Sequence, residues 1–147
     1  MGHYIANLRD IEFCLFDLFE RESILGKSIY KDLDRETAMG MLEEVKRMAE
    51  NDLAASFIDG DQIKVKFDPA TGDAKLPESF KKSYKTFMDN EWWRIDAPVE
   101  LGGTSIPPSI RWAIAEMVLG SNPSIHIYAS GTAFAHVAYA YGTEEQK

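Results

Sequence analysis

Between Asn7 and Glu20, apolar side chains recur at Leu8, Ile11, Leu15, Leu18 and Phe19, with Arg9, Asp10, Asp17 and Glu20 opposite them. That 3.6-residue period predicts an amphipathic helix over 7–20. Phe13 falls on its polar side, as a lone exposed aromatic or as an anchor for another domain or subunit. After a connector over 24–33, Asp34 is placed to cap a second helix running to about Ala55. Its buried stripe is Ala38, Met41, Leu42, Val45, Met48, Ala49 and Leu53, with a Glu43–Arg47 pair outside. The methionines in that stripe read as core packing. Pro77 precedes a third helix that turns Phe80, Tyr84, Phe87 and Met88 inward and ends near Trp92 and Trp93. Pro107 and Pro108 open a fourth helix to about Leu119, and Pro123 opens a fifth to Tyr141.

Two stretches break the helical period. Over 57–77 the pattern predicts a small hairpin or an extended loop, with a turn at Pro69 to Asp73. Asp59, Asp61, Asp68 and Asp73 lack the alternate spacing of a calcium loop and read as turn formers. The second stretch, Ile95 to Ile106, contains Gly102 and Gly103, which imply backbone conformations or close approaches that a Cβ would forbid. It lacks the lysine and hydroxyl of a phosphate-binding loop. The fold class is therefore mainly all-α, an antiparallel bundle of about five helices with one β-like excursion.

Charge narrows the partners. The chain carries 16 basic and 24 acidic side chains for a net charge of -8, which disfavours nucleic acid and anionic membranes. Lys81, Lys82 and Lys85 form the one basic trio, read as a solvated face. The single cysteine, Cys14, has no partner for an internal disulfide and fits a reducing cytoplasm. No charge occurs between Glu116 and Glu144, yet Gly120 to Pro123 interrupts the run and polar residues follow, so a membrane span is not expected. A helix that apolar requires cover on all sides. Self-association of the isolated chain is therefore expected.

Chemistry is sparse. No nucleophile–base pair is evident, no metal set is expected, and His126 and His136 lie ten positions apart, nearly three turns, so they cannot share a metal unaided. Each reads as a hydrogen-bonded core histidine or as part of a pocket wall. The small residues Ala129, Ser130, Gly131, Thr132 and Ala133 read equally as tight helix packing or as the wall of a cavity for a long apolar ligand. The closing segment Thr143, Glu144, Glu145, Gln146 has the form of a capping box, the start of a further helix. The expectation is a piece of a longer protein.

Leu76 and Pro77, Phe80, Trp92, the Pro98, Glu100, Gly102, Gly103 loop, Gly120 to Pro123 and the closing Tyr141, Gly142, Thr143, Glu144, Glu145, Gln146, Lys147 occur in an order that resembles the N-terminal helical domain of the acyl-CoA dehydrogenases. The opening His3, Tyr4, Asn7, Arg9, Asp10, Phe13, Leu18 is similar to an extra N-terminal helix of one bacterial branch of that family. The resemblance divides the chain into an extension over 1–33 and a family-like domain over 34–147, cut at the start of its last helix. It implies an FAD enzyme of fatty-acid metabolism that oxidises acyl-CoA thioesters. Electrons would pass to an electron-transferring flavoprotein, the subunits would form a homo-oligomer, and the catalytic base and flavin contacts would lie in middle and C-terminal domains. No catalytic or flavin residue is carried over to this chain. What the resemblance gives it is a wall of the acyl tunnel at Ile125, His126, Ala129, Ser130 and Ala133, roomy enough for medium to long or branched chains. A non-enzymatic helical interaction module and an acyl-CoA oxidase of the same fold are the alternatives.

Overall fold

The computed structural model describes residues 2–147. The first helix, α1 (Leu8–Glu12), runs directly into a π-helical turn, Phe13–Leu18. Helix α2 (Arg35–Met48) is capped by Asp34, whose carboxylate accepts the Thr37 amide at 2.7 Å, and it too widens into a π turn at Ala49–Leu53. A short 3₁₀ segment, Ala54–Ser56, then leads into α3 (Phe57–Gln62). The strands β1 (Lys66–Asp68) and β2 (Asp73–Lys75) form an antiparallel hairpin with Phe67 opposite Ala74. Helices α4 (Glu78–Asp89), α5 (Pro108–Ser121), α6 (Pro123–Ala129) and α7 (Gly131–Tyr141) complete a mainly α-helical bundle.

The stripe read from α2 is the core of the molecule. Ala38, Leu42, Val45, Met48, Ala49 and Leu53 are buried against Phe80 and Phe87 of α4, Ile110, Ile114, Met117 and Val118 of α5, and Ile125 of α6. Tyr84 and Met88 pack at its edge, as their positions on α4 predicted. Burial of so many aliphatic and aromatic side chains is the main force that holds these helices together.

The π turn of α2 lets polar groups enter that core. The Ala54 amide reaches back to the Ala49 carbonyl, one residue further than in an α-helix, and the widened turn opens its carbonyls to neighbouring helices. Ser121 Oγ donates to the Ala49 carbonyl at 2.6 Å, Ser83 Oγ to that of Asp52 at 2.7 Å, and Asn122 Nδ2 to that of Leu53 at 3.0 Å. Three buried polar side chains from other helices thus find acceptors where an apolar core would otherwise leave them unpaired. The chain's start is strapped across the same corner. The His3 ring stacks on Phe57 with centroids 4.2 Å apart and its Nε2 donates to the Ser121 carbonyl at 2.8 Å, while the Tyr4 ring lies against Gly120, where a Cβ would crowd it.

Several expectations need correction. Leu18 and Phe19 do not join the buried arc of the first helix: both are exposed, and Phe16 is buried instead. The π turn advances the chain by less than 100° per residue, so a wheel drawn at α-helical pitch goes out of phase there. Phe13 is exposed, as its place on the polar side predicted. The second helical run continues past Ala55 through α3, so residues 57–62 belong to helix rather than to the hairpin or loop. Arg47 pairs with Glu44 at 2.6 Å rather than with Glu43. Helix α4 stops at Asp89, and a left-handed Glu91 leads into the 3₁₀ segment Trp92–Asp96.

The fifth helix is broken. Ser130 leaves α-helical geometry with ψ near zero and its hydroxyl donates to the Ile127 carbonyl at 2.7 Å, ending α6 before α7 begins at Gly131. Helix α7 buries none of its residues, and Phe134 is 72% exposed. At the chain's end half of the capping box forms. The Gln146 side chain accepts the Thr143 amide at 2.9 Å, but the Thr143 hydroxyl bonds the Gln146 side chain and not its amide.

Candidate functional site

The five proposed wall residues lie on α6, on its break at Ser130 and at the start of α7, and the structure divides them. Ile125 and Ala129 face the core and are buried. His126, Ser130 and Ala133 line a groove of about 190 Å³ whose other walls include Phe87, Ile114 and Val118. Asp96 and Arg111 close the polar side of the groove, joined by an ion pair of 3.2 Å. The groove is therefore lined mainly by apolar side chains, with one ion pair among its walls.

The sequence builds this arrangement from two directions. Pro107 and Pro108 set the start of α5, which places Arg111 in its first turn. Asp96 is presented by the Trp92–Asp96 segment, fastened where the Thr104 amide donates to the Arg94 carbonyl at 2.8 Å. That return of the chain depends on both glycines of the intervening loop. Gly102 is left-handed with φ at 82°, and a Cβ on Gly103 would collide with the Ala97 carbonyl.

A second groove of about 280 Å³ lies beyond the ion pair. Ile29, Tyr30, Pro98 and His136 contribute to it, and Ile95, Asp96 and Arg111 line both grooves. The two histidines therefore belong to different cavities, and neither ring hydrogen-bonds another described residue. Asp96 and Arg111 were missed as site residues from the sequence. One signal was there: Arg111 is the sole lysine or arginine between Ile106 and Gln146. A cationic side chain in so apolar a stretch requires a partner, and Asp96 supplies it.

Elsewhere, a groove of about 410 Å³ separates the first helix from α5, with Ile11, Cys14, Leu15 and Trp112 among its walls. Among the described residues, no group of three or more His, Cys, Asp or Glu side chains is placed to hold a metal ion. Asp68 serves its turn, accepting the Ala70 amide at 2.9 Å, while Lys81 and Lys85 pair with Glu78 and Asp89 on an exposed face. Among the described residues no helix is long and apolar enough to cross a membrane.

By its sequence the chain belongs to the acyl-CoA dehydrogenase family. Over all of its 147 residues it is 43% identical to the broad-specificity linear acyl-CoA dehydrogenase FadE5 of Mycobacterium tuberculosis, of which it spans 24%. It is also 28% identical, over 121 residues, to the 3-methylmercaptopropionyl-CoA dehydrogenase of Ruegeria pomeroyi, covering 82% of this chain and 20% of that protein. The chain thus spans a quarter or less of the length of these curated relatives. No family model matches it.

Proposed function

We infer that this chain is the N-terminal helical part of an acyl-CoA dehydrogenase that removes hydrogen from the α and β carbons of an acyl-CoA thioester. The 43% identity along the whole chain to an enzyme of that name carries the reading, and the mainly helical bundle with its single hairpin agrees with it. The contribution of these residues is binding. His126, Ser130 and Ala133, with Phe87, Ile114 and Val118 opposite, give an acyl chain a largely apolar wall along which to lie. The small side chains at Ser130 and Ala133 leave width for medium to long or branched chains.

FAD would accept the hydrogen that leaves the β carbon once the complete polypeptide holds it. The described residues do not fit that cofactor by themselves. Gly103 brings the backbone back against Ala97, and the amides of Gly102, Gly103 and Thr104 are already given to the Val99, Pro98 and Arg94 carbonyls, leaving none of the three for a pyrophosphate. The flavin, an electron-transferring flavoprotein as acceptor and a homo-oligomeric assembly in the cytoplasm are accordingly proposed for the complete protein.

The test is direct. Protein carrying the full reading frame around this segment should purify yellow, and its flavin absorbance should bleach on addition of acyl-CoA with formation of the trans-2-enoyl-CoA. Reoxidation by electron-transferring flavoprotein is expected, and rapid reoxidation by oxygen alone would make it an oxidase. A colourless protein that leaves acyl-CoA unchanged would sink the reading, and a preference for four-carbon substrates would sink the wide groove.

A further inference from the structure

Ile95, Asp96 and Arg111 form a partition, with the 190 Å³ groove of His126 on one side and the 280 Å³ groove of His136 on the other. Apolar side chains contribute to both grooves, Phe87, Ile114 and Val118 on the first side and Ile29, Ile106 and Pro108 on the second. The polar element of the partition is the Asp96–Arg111 pair, held at 3.2 Å with side chains only 25% and 33% exposed. An apolar chain passing from the first groove to the second meets those charges, which line both. To pass, it must separate them or strip their remaining water, and methylene groups return nothing for either.

The geometry points to the Asp96–Arg111 ion pair as a gate that sets how long an acyl chain the enzyme accepts. This rests on the acyl-CoA reading of the first groove. With the pair closed, the way into the second groove is barred by the two charges and a longer chain must fold back or leave its tip in water. With the pair open, the chain enters the second groove and buries further methylenes against Ile29 and Ile106. Arg111 is suited to the moving half: its guanidinium is carried on a long flexible stem and already lies 5.3 Å from the Trp112 ring, an alternative resting place for the charge. Asp96 is the fixed half, since its segment is tied by the Thr104–Arg94 hydrogen bond and by the glycine loop.

The test uses the complete enzyme and reads kcat/KM across saturated acyl-CoA substrates of rising length. Removing both charges together, Asp96→Ala with Arg111→Ala, leaves no orphaned ion and should shift the long-to-short ratio by about tenfold or more toward long chains. Exchanging the charges, Asp96→Arg with Arg111→Asp, should restore the wild-type cutoff. A merely structural pair would instead lower kcat/KM by one common factor at every length, and that result overturns the gate. So would a charge-exchanged enzyme that behaves like the doubly uncharged one. Should the double alanine variant fail to fold, Asp96→Asn with Arg111→Gln keeps shape without charge and carries the same expectation. A wild-type enzyme that turns over acyl-CoA while the variants keep its length profile refutes the gate alone. No turnover of any acyl-CoA by wild type refutes the functional reading and the gate with it.

Discussion

Asn122 and Leu53 stand 69 residues apart in sequence, yet the Asn122 side-chain amide donates to the Leu53 carbonyl at 3.0 Å inside the core. The same amide reaches Ser56 Oγ at 3.0 Å, and the Asn122 oxygen caps α6 by accepting the Ile125 amide. One side chain thus closes a helix start and a helix widening together. Replacing Asn122 by Ala should cost about 2–4 kcal/mol, since it strips a cap and leaves buried polar groups unpaired. Asp at 122 would keep the cap but set a carboxylate against the Leu53 carbonyl, so it should be at least as damaging. Urea denaturation of the three proteins gives the comparison, and equal midpoints would refute this account.

Gly102 and Gly103 should respond differently to alanine. At Gly102 the cost is conformational, about 1–2 kcal/mol for a left-handed residue, because nothing lies near its absent Cβ. At Gly103 the new methyl would press on the Ala97 carbonyl, and the loop that presents Asp96 must move. Gly103→Ala is therefore expected to be the more destabilising of the two by thermal melting, and the only one to loosen the Asp96–Arg111 pair.

Asp34 predicts a pH dependence with a definite sign. The Thr37 amide, bonded to its carboxylate, holds the group below the ordinary aspartate range, with the Thr37 hydroxyl helping. A carboxyl depressed in the folded state adds stability above its unfolded pKa of about 3.9 and loses it as pH falls through the lower folded value. The stability gap between wild type and Asp34→Ala should therefore stay constant from neutrality to about pH 5 and shrink below that. A gap that widens in acid would contradict the assignment.

Helix α7 leaves Phe134, Val137 and Tyr141 at 72%, 54% and 86% exposure. Apolar surface so concentrated on one helix favours association, so this chain by itself should form dimers or larger species as concentration rises. Phe134→Lys with Val137→Lys should return it to a monomer. Light scattering that finds wild type monomeric at high concentration would argue against the expectation.

Much of the bundle was legible because its helices carry their burial in their period. The α2 stripe from Ala38 to Leu53 and the inward face of α4 follow 3.6-residue spacing and were readable directly. What escaped was every change of pitch. Phe16 replaced Leu18 and Phe19 because a π turn has no sequence signature that periodicity detects, and Ser130 ended α6 through a local hydroxyl bond. The placement of the proposed wall residues was not legible in full for a related reason. A wheel groups Ile125 and Ala129 with His126, Ser130 and Ala133, but only the fold decides that the first two turn to the core. Asp96 and Arg111, 15 residues apart on different segments, meet through loop geometry that the two glycines hint at without specifying.

The wide turn at Ala49–Leu53 gives the chain an unusual sensitivity to length. A π turn holds one residue more than the α-helix it interrupts. Deleting a single residue there would let α2 run on as regular helix to the 3₁₀ segment at Ala54–Ser56, improving its local geometry. The flanking helix would keep its phase, because the wide turn is what absorbs the extra residue, but the opened carbonyls of Ala49, Asp52 and Leu53 that accept from Ser121, Ser83 and Asn122 would be lost. In this segment the better helix would be the worse protein, so substitutions should be tolerated far more readily than deletions.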